Sequence, residues 1–242
     1  LHNFWIKKNN INAVYEKTKL EEPELKNFIN KLRNEQIHGI NVTVPFKNKV
    51  IKYLDKLSLE VETTESVNTI YKSGKNIIGH NTDVAGFELG LRHSKINVLH
   101  KSILILGAGG VVPSIIYSLL SMGCKKIFLS NRTIIKAENI KKKFDEIEVL
   151  KWGEIPDFDM VINATSVGLN GEGLDINFNV KDKIFYDVIY NPKETQFLKK
   201  AKERGNKIEN GKFMFIYQAN QSFSIWNNII PKIDEEVLKI LE

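Results

Sequence analysis

Lys47 ends the segment Asn41-Val42-Thr43-Val44-Pro45-Phe46-Lys47, which reads as a strand running into a proline-broken turn with one ammonium group at its mouth. That placement makes Lys47 a candidate proton donor. A second segment, Gly107-Ala108-Gly109-Gly110, lies between an apolar run and a helical pattern. A turn of that kind presents backbone N–H groups and a positive helix end, where a pyrophosphate can be held. A lysine facing a bound nicotinamide would serve reversible reduction of a carbonyl, because hydride delivery creates alkoxide character that needs a proton donor and a positive charge nearby. Together the two segments describe an enzyme.

The glycine fingerprint is incomplete, since Val112 occupies its third small-residue position and strand and helix should sit slightly farther apart there. The second strand of the pattern ends in Ser130-Asn131-Arg132-Thr133, without the carboxylate that would accept hydrogen bonds from ribose hydroxyls. Arg132 can pair with a 2′-phosphate and stack on adenine, with Asn131 and Thr133 as further donors, so the expected cofactor is NADP. The same residues also admit a plain reading, with Thr133 as a helix N-cap and Arg132 simply exposed.

These residues need elements to hold them. In the first part, 12–17 (NAVYEK) reads as a short strand and 23–36 as a helix, with Leu25, Phe28, Ile29 and Leu32 on one face. A strand at 39–44 follows, then an amphipathic helix through Val50, Ile51 and Leu54. Two strands near 67–71 and 76–78 are joined by Ser73-Gly74-Lys75, and a helix spans 84–92. The polar stretch 94–101 reads as a hinge. From Ser102 the pattern turns regular: strand SILILG, helix 111–122, strand KIFLS, helix 134–144, strand EVLKW, strand MVINA, strand KIFYDV and helix 195–204. Alternation of β and α elements predicts a parallel sheet with crossover helices, and continuous apolar strands predict burial on both faces. A long helix over 214–230 is expected to pack back on the first part. The fold class is therefore α/β.

Composition narrows the function class. A chain of 242 residues at 42% hydrophobic content can form two ordinary domains with real cores. Thirty-five basic against twenty-nine acidic side chains give +6, too diffuse to name an anionic partner. The one tight basic run, Lys141-Lys142-Lys143, reads as a solvated helix face and not as a nucleic-acid patch. A single Cys124 excludes a disulfide framework and offers no zinc signature, which fits a reducing compartment and a cytoplasmic location. No apolar run approaches the roughly 20 residues of a membrane span. The expected partner is a small-molecule substrate, with neither nucleic acid, membrane nor metal, and the chain is expected as a monomer or homodimer.

The motifs NVTVPFK, SVNTI, NTD, GAGG, NRT, NATSVG, YDVIYNP and QANQSFSIW, in that order, resemble the shikimate dehydrogenase family across nearly the whole chain. The resemblance implies NADPH-dependent reduction of 3-dehydroshikimate to shikimate in aromatic amino acid biosynthesis. It implies a substrate-binding and catalytic domain over 1–93, an NADP-binding Rossmann domain over 94–212, C-terminal helices over 213–242 and an active site in the cleft between the domains. Carried over to this chain, it makes Lys47 and Asp83 the acid/base pair and has Thr43, Asn68, Asp83 and Gln218 contact the substrate's hydroxyls. Tyr190 resembles the family tyrosine near the substrate. Thr165, within Asn163-Ala164-Thr165-Ser166-Val167-Gly168, stands among small and hydroxyl residues brought up to the cofactor, and Gly211 and Met214 match a loop placed near the nicotinamide. Gly107, Ala108, Gly109, Gly110, Asn131, Arg132 and Thr133 complete the implied cofactor set.

The same side chains could serve structure alone. Lys47 could be an exposed lysine opening a helix, Asp83 the N-cap of the following helix, Asn68 a partner for strand-end backbone groups, and Gln218 a polar position on an amphipathic helix. Two departures from the family pattern matter. The family's N-terminal strand and the Ser-x-Ser loop that binds the substrate carboxylate would precede Leu1, so a chain beginning there is expected to bind NADP but turn over poorly. Phe213, beside Lys212, stands where the family usually has glycine, and its ring is expected to narrow the nicotinamide pocket or displace the loop. The competing readings are a quinate/shikimate dehydrogenase tolerating NAD, and a catalytically weak nucleotide-binding regulatory module.

Overall fold

The computed structural model describes residues 1–241, and its elements begin with α1 (His2–Lys8) and α2 (Leu25–Arg33). Next come β1 (Gly39–Asn41), β2 (Lys56–Leu57), α3 (Leu59–Thr64), β3 (Thr69–Ser73) and β4 (Asn76–His80). Leu25, Ile29 and Leu32 of α2 are buried with Val61, Val67, Ile70 and Ile77. That i, i+4, i+7 spacing puts one apolar stripe against a four-stranded sheet of order β1-β3-β4-β2. β3 and β4 form an antiparallel hairpin in which Ser73 pairs with Asn76, and Gly74 adopts φ +58° in the two-residue turn, a backbone that glycine takes without strain.

Two expectations for this part fail. Residues 12–17 form no strand: the Tyr15 N–H donates to Asn3 Oδ1 at 2.7 Å and its ring stacks on His2 at 4.3 Å, so a side chain takes the donor that a ladder would have used. The helix through Val50, Ile51 and Leu54 shrinks to a 3-10 turn at Ile51–Tyr53. The chain is drawn off at once to the sheet, where the Asp55 N–H donates to the Ile77 carbonyl at 2.8 Å.

α4 (Thr82–His93) leads into β5 (Ser102–Leu106), α5 (Val112–Ser121), β6 (Lys126–Ser130), α6 (Ile134–Lys141) and β7 (Ile147–Leu150). β8 (Met160–Asn163), β9 (Ile184–Asp187), α7 (Gln196–Glu203) and β10 (Lys207–Asn210) follow, and α8 (Lys212–Asn227) and α9 (Glu235–Lys239) close the chain. The six strands β10-β9-β8-β5-β6-β7 form one wholly parallel sheet. Ile103, Leu104, Ile105, Val161 and Ile162 have no solvent exposure, as expected of strands covered on both faces. Each such side chain contributes about 1.5–3 kcal/mol of burial.

The chain divides into two compact units, Leu1–Gly86 with Ile216–Glu242, and Phe87–Phe215. The stretch 94–101, expected as a hinge, instead anchors the second unit: Ile96 and Val98 are buried in its core with Phe87 and Leu91. Among the described residues no helix is long and apolar enough to cross a membrane.

Candidate active site

In the first unit the turn after β1 is held by the Phe46 N–H donating to the Thr43 carbonyl, and the Lys47 carbonyl accepts the Val67 N–H at 2.9 Å. That second bond ties the lysine's backbone to the start of the β3 segment. Thr43 is exposed on the turn. The Lys47 ammonium reaches Asp83 Oδ2 at 2.5 Å, with 14% and 10% of the two side chains exposed. Asp83 lies in the first turn of α4, but Asn81 caps the helix, its Oδ1 accepting the Asp83 N–H at 3.1 Å. The N-cap role considered for Asp83 thus belongs to Asn81, and the Asp83 side chain is free to turn toward Lys47.

Asn68 completes the group. Its Nδ2 donates to Asp83 Oδ1 at 2.9 Å, so each carboxylate oxygen holds one donor. The Asn68 Oδ1 accepts the Thr82 N–H at 2.8 Å, and that backbone bond fixes which way the amide faces. Beneath it lies a knot of hydroxyls that sequence reasoning missed: Thr69, Thr82 and Ser222 of α8, with the Asn41 amide donating into it. Gln218 lies one helical turn before Ser222, and its carbonyl accepts the Ser222 hydroxyl at 3.0 Å. α8 can lie this close to the sheet because Gly39 has no side chain. A Cβ there would meet the Trp226 indole at 2.3 Å, and the indole N–H donates to the Ile70 carbonyl at 3.1 Å.

In the second unit the glycine turn follows β5 at the point where the strand order reverses between β5 and β8, which is where ligands bind in open parallel sheets. Gly107 has φ +107°, and a Cβ there would lie 2.8 Å from the Ala164 carbonyl oxygen, so the loops after β5 and β8 meet through it. Gly109 is different. A Cβ on it would find only the Ala164 oxygen, at 3.9 Å, so the protein's own atoms do not require glycine there. Gly109 and Gly110 are exposed and Ala108 partly so, leaving the turn accessible to a ligand. Val112 is fully buried in the core shared with Ile103, Ile105 and Ile115, so the larger residue at the third fingerprint position is absorbed by packing.

Arg132 is exposed just beyond β6 and pairs with no carboxylate among the described residues. Asn131 Nδ2 donates to the Thr133 carbonyl at 2.8 Å, shaping that turn, while Thr133 holds the N-cap position of α6 without a side-chain capping bond. An unpaired guanidinium and an open glycine turn fit a phosphate-bearing dinucleotide.

Thr165 is tied back by its hydroxyl, which donates to Asn163 Oδ1 at 2.7 Å and accepts the Val167 N–H at 3.1 Å. Asn163 Nδ2 donates to Asp187 Oδ2 at 3.1 Å, the Thr195 hydroxyl donates to the same oxygen at 2.7 Å, and the Ile189 N–H donates to Oδ1 at 3.0 Å. Asp187 is fully buried and burial raises its carboxyl above the ordinary value, against the opposing pull of these three donors. Tyr190 is half-buried, stacks on Phe215 at 4.5 Å, and has its phenol raised by burial, which keeps it neutral. Gly211 is required by a close approach, since a Cβ would lie 2.1 Å from the Val188 carbonyl oxygen. Met214, 6% exposed, packs in the second unit's core. Phe213 stacks on the His93 ring at 3.8 Å, so its bulk is accommodated against the last turn of α4.

Comparison with known proteins bears on this geometry. A family model described as the shikimate dehydrogenase substrate binding domain matches residues 1–70, and one described as Shikimate / quinate 5-dehydrogenase matches residues 90–169. A protein named shikimate dehydrogenase (NADP(+)) from Pelagibacter ubique (strain HTCC1062) is 56% identical over 246 residues, covering 100% of this chain and 92% of its own length. The structure of shikimate 5-dehydrogenase from Listeria monocytogenes, in complex with shikimate and NAD, superposes with TM-score 0.91 at 29% identity, covering 100% of this chain and 90% of that one. The enzyme from Thermus thermophilus, in complex with NADP(H) and shikimate, gives TM-score 0.87 at 26% identity over 96% of this chain and 88% of its own.

Proposed function

This chain belongs to the shikimate dehydrogenase family, and from that premise we propose that it catalyses the reversible, NADPH-dependent reduction of 3-dehydroshikimate to shikimate, a step of aromatic amino acid biosynthesis. The observation that carries the reading is the Lys47–Asp83 ion pair with Asn68 on its second carboxylate oxygen. The bound nicotinamide supplies the hydride. Of the three N–H donors of the Lys47 ammonium, Asp83 takes one, and two remain for a substrate oxygen. When hydride reaches the carbonyl carbon, the C=O π pair moves to oxygen, and Lys47 delivers a proton there while its charge stabilises the alkoxide. In the oxidative direction the same nitrogen takes the proton back. Asp83 orients the ammonium and accepts from a substrate hydroxyl, with Thr43, Asn68 and Gln218 as further hydroxyl contacts and Tyr190 as a neutral phenol donor.

On the cofactor side, the turn at Gly107, Ala108, Gly109 and Gly110 holds the pyrophosphate, Asn131, Arg132 and Thr133 hold the 2′-phosphate and adenine, and Thr165, Gly211 and Met214 border the nicotinamide. We place the enzyme in the cytoplasm as a monomer or homodimer, with shikimate as its small-molecule partner. An absorbance assay at the nicotinamide band tests the reading. Shikimate with NADP should give the fastest turnover of four pairings with quinate and NAD; preference for quinate with NAD, or no turnover in any pairing, would overturn it.

A further inference from the structure

Ser222 of α8 is fully buried, and what distinguishes it from an alanine at that position is a hydroxyl. A buried hydroxyl is costly unless bonded, and this one has four polar neighbours: Thr69 Oγ1 at 2.7 Å, Thr82 Oγ1 at 3.0 Å, Asn41 Nδ2 at 3.1 Å and the Gln218 carbonyl at 3.0 Å. Its single proton goes to the Gln218 carbonyl, the usual i−4 partner of a helical serine, so the oxygen is left as an acceptor. Thr69 and Thr82 can then both direct their hydroxyl protons at it, while Asn41 Nδ2, with two protons, has the Asn68 carbonyl at 3.0 Å, Ser222 Oγ at 3.1 Å and Thr69 Oγ1 at 3.2 Å within reach.

The direction of the Thr82 proton matters. Asn68 Nδ2 has two protons and two acceptors, Thr82 Oγ1 at 2.9 Å and Asp83 Oδ1 at 2.9 Å. Thr82 accepts well from this amide only while its own proton points elsewhere, and Ser222 Oγ at 3.0 Å is the nearest oxygen it can point to, ahead of Asn68 Oδ1 at 3.1 Å. Without Ser222, the remaining acceptors for that proton are Asn68 Oδ1 at 3.1 Å and Thr69 Oγ1 at 3.2 Å. A hydroxyl that donates to the oxygen and accepts from the nitrogen of one amide closes a six-membered ring in which both bonds are bent, and each is weaker than a straight one. The amide would be held less firmly, and with it the bond that keeps Asp83 opposite Lys47.

We propose that Ser222 is a positioning residue for the reaction, acting through Thr82 and Asn68 to hold the Asp83 carboxylate toward Lys47. The inference rests on the proposed dehydrogenase reading but is tested separately from it. Ser222→Ala suits helix α8, since alanine is the best helix former. It should lower kcat/KM for shikimate by roughly 5–30-fold, the coupling expected inside one hydrogen-bonded network, while leaving the Kd for NADP within about twofold. In the Asn68→Ala background the same change should cost less than about twofold, because the link it supports is already gone. Thr82→Val should reproduce the loss from the other side of the bond and serves if Ser222→Ala does not fold. An equal loss in both backgrounds, or a parallel loss of NADP affinity, would show a general structural role and overturn the proposal. The Asn68 side-chain amide signals in 1H–15N NMR decide the matter without turnover: they should shift in Ser222→Ala, and unmoved signals would overturn Ser222's role even if the wild-type protein oxidised shikimate. Absence of wild-type turnover with shifted signals would sink the dehydrogenase reading alone.

Discussion

Two carboxylates in this protein have nearly the same neighbours and different fates. Asp83 accepts from Asn68 Nδ2 with Thr82 alongside, and Asp187 accepts from Asn163 Nδ2 and the Thr195 hydroxyl. Asp83, 7% exposed, carries in addition the Lys47 ammonium, while Asp187 has no exposure and no cation among its described partners. The first arrangement leaves a charge pair partly exposed, with 14% of the Lys47 and 10% of the Asp83 side chain open to solvent. The second uses a carboxylate as a buried knot that ties the end of β8, the loop after β9 and the start of α7 together. Residue types alone do not separate the two; the charged partner of Asp83 and the full burial of Asp187 do.

The sharpest way to break this contrast is Lys47→Ala. It should lower kcat by roughly 10²–10⁴-fold with NADP binding intact, as for loss of an acid/base group, and full rate would remove Lys47 from the mechanism. Asp187→Ala should behave oppositely. It strands the Thr195 hydroxyl, Asn163 Nδ2 and the Ile189 N–H, at a cost of about 2–3 kcal/mol in denaturant unfolding; a variant of undiminished stability and abolished turnover would place Asp187 in the chemistry instead. Arg132→Gln sharpens the role of the second unit as a binder. Loss of one charge-assisted phosphate contact, about 1.5–3 kcal/mol, should weaken NADP by roughly 10-fold or more and leave NAD nearly unchanged. Equal losses for both cofactors would contradict the phosphate assignment.

The smallest expected effect is on pH dependence. Burial raises the folded-state carboxyl of Asp187, so the folded protein binds its proton more readily than the unfolded chain. This contribution to stability is present below the unfolded carboxylate value and is lost as pH rises through the raised one. Asp187→Asn should therefore flatten the decline of unfolding free energy above the ordinary carboxylate range, and an identical slope in both proteins would show that Asp187 does not titrate differently on folding.

The parallel sheet was legible in advance because SILIL and MVIN are uninterrupted apolar runs bounded by turn residues, a pattern that buried strands produce directly. The Asn68, Asp83 and Lys47 group was legible only through the motif order, since three polar residues 15 to 36 positions apart carry no periodicity that would bring them together. Short elements such as α1, β2 and α9 were not legible. Their existence depends on tertiary partners, as with the Asp234 side chain capping α9 through the Val237 N–H. The strand expected at 12–17 failed for the same reason in reverse, its backbone donor claimed by Asn3. Ser222 left one faint signal, its i+4 spacing from Gln218 on α8, which places both on one helix face.

The indole of Trp226, seated over Gly39 and bonded to the Ile70 carbonyl, gives the protein a resident fluorophore at the point where α8 rests on the sheet of the first unit. Only Trp5 and Trp152 share its emission band, so replacing both with phenylalanine would leave a single optical reporter. The colour of that emission would then follow, in real time and without added label, whether the helix carrying Gln218 and Ser222 stays on its bed when substrate is added.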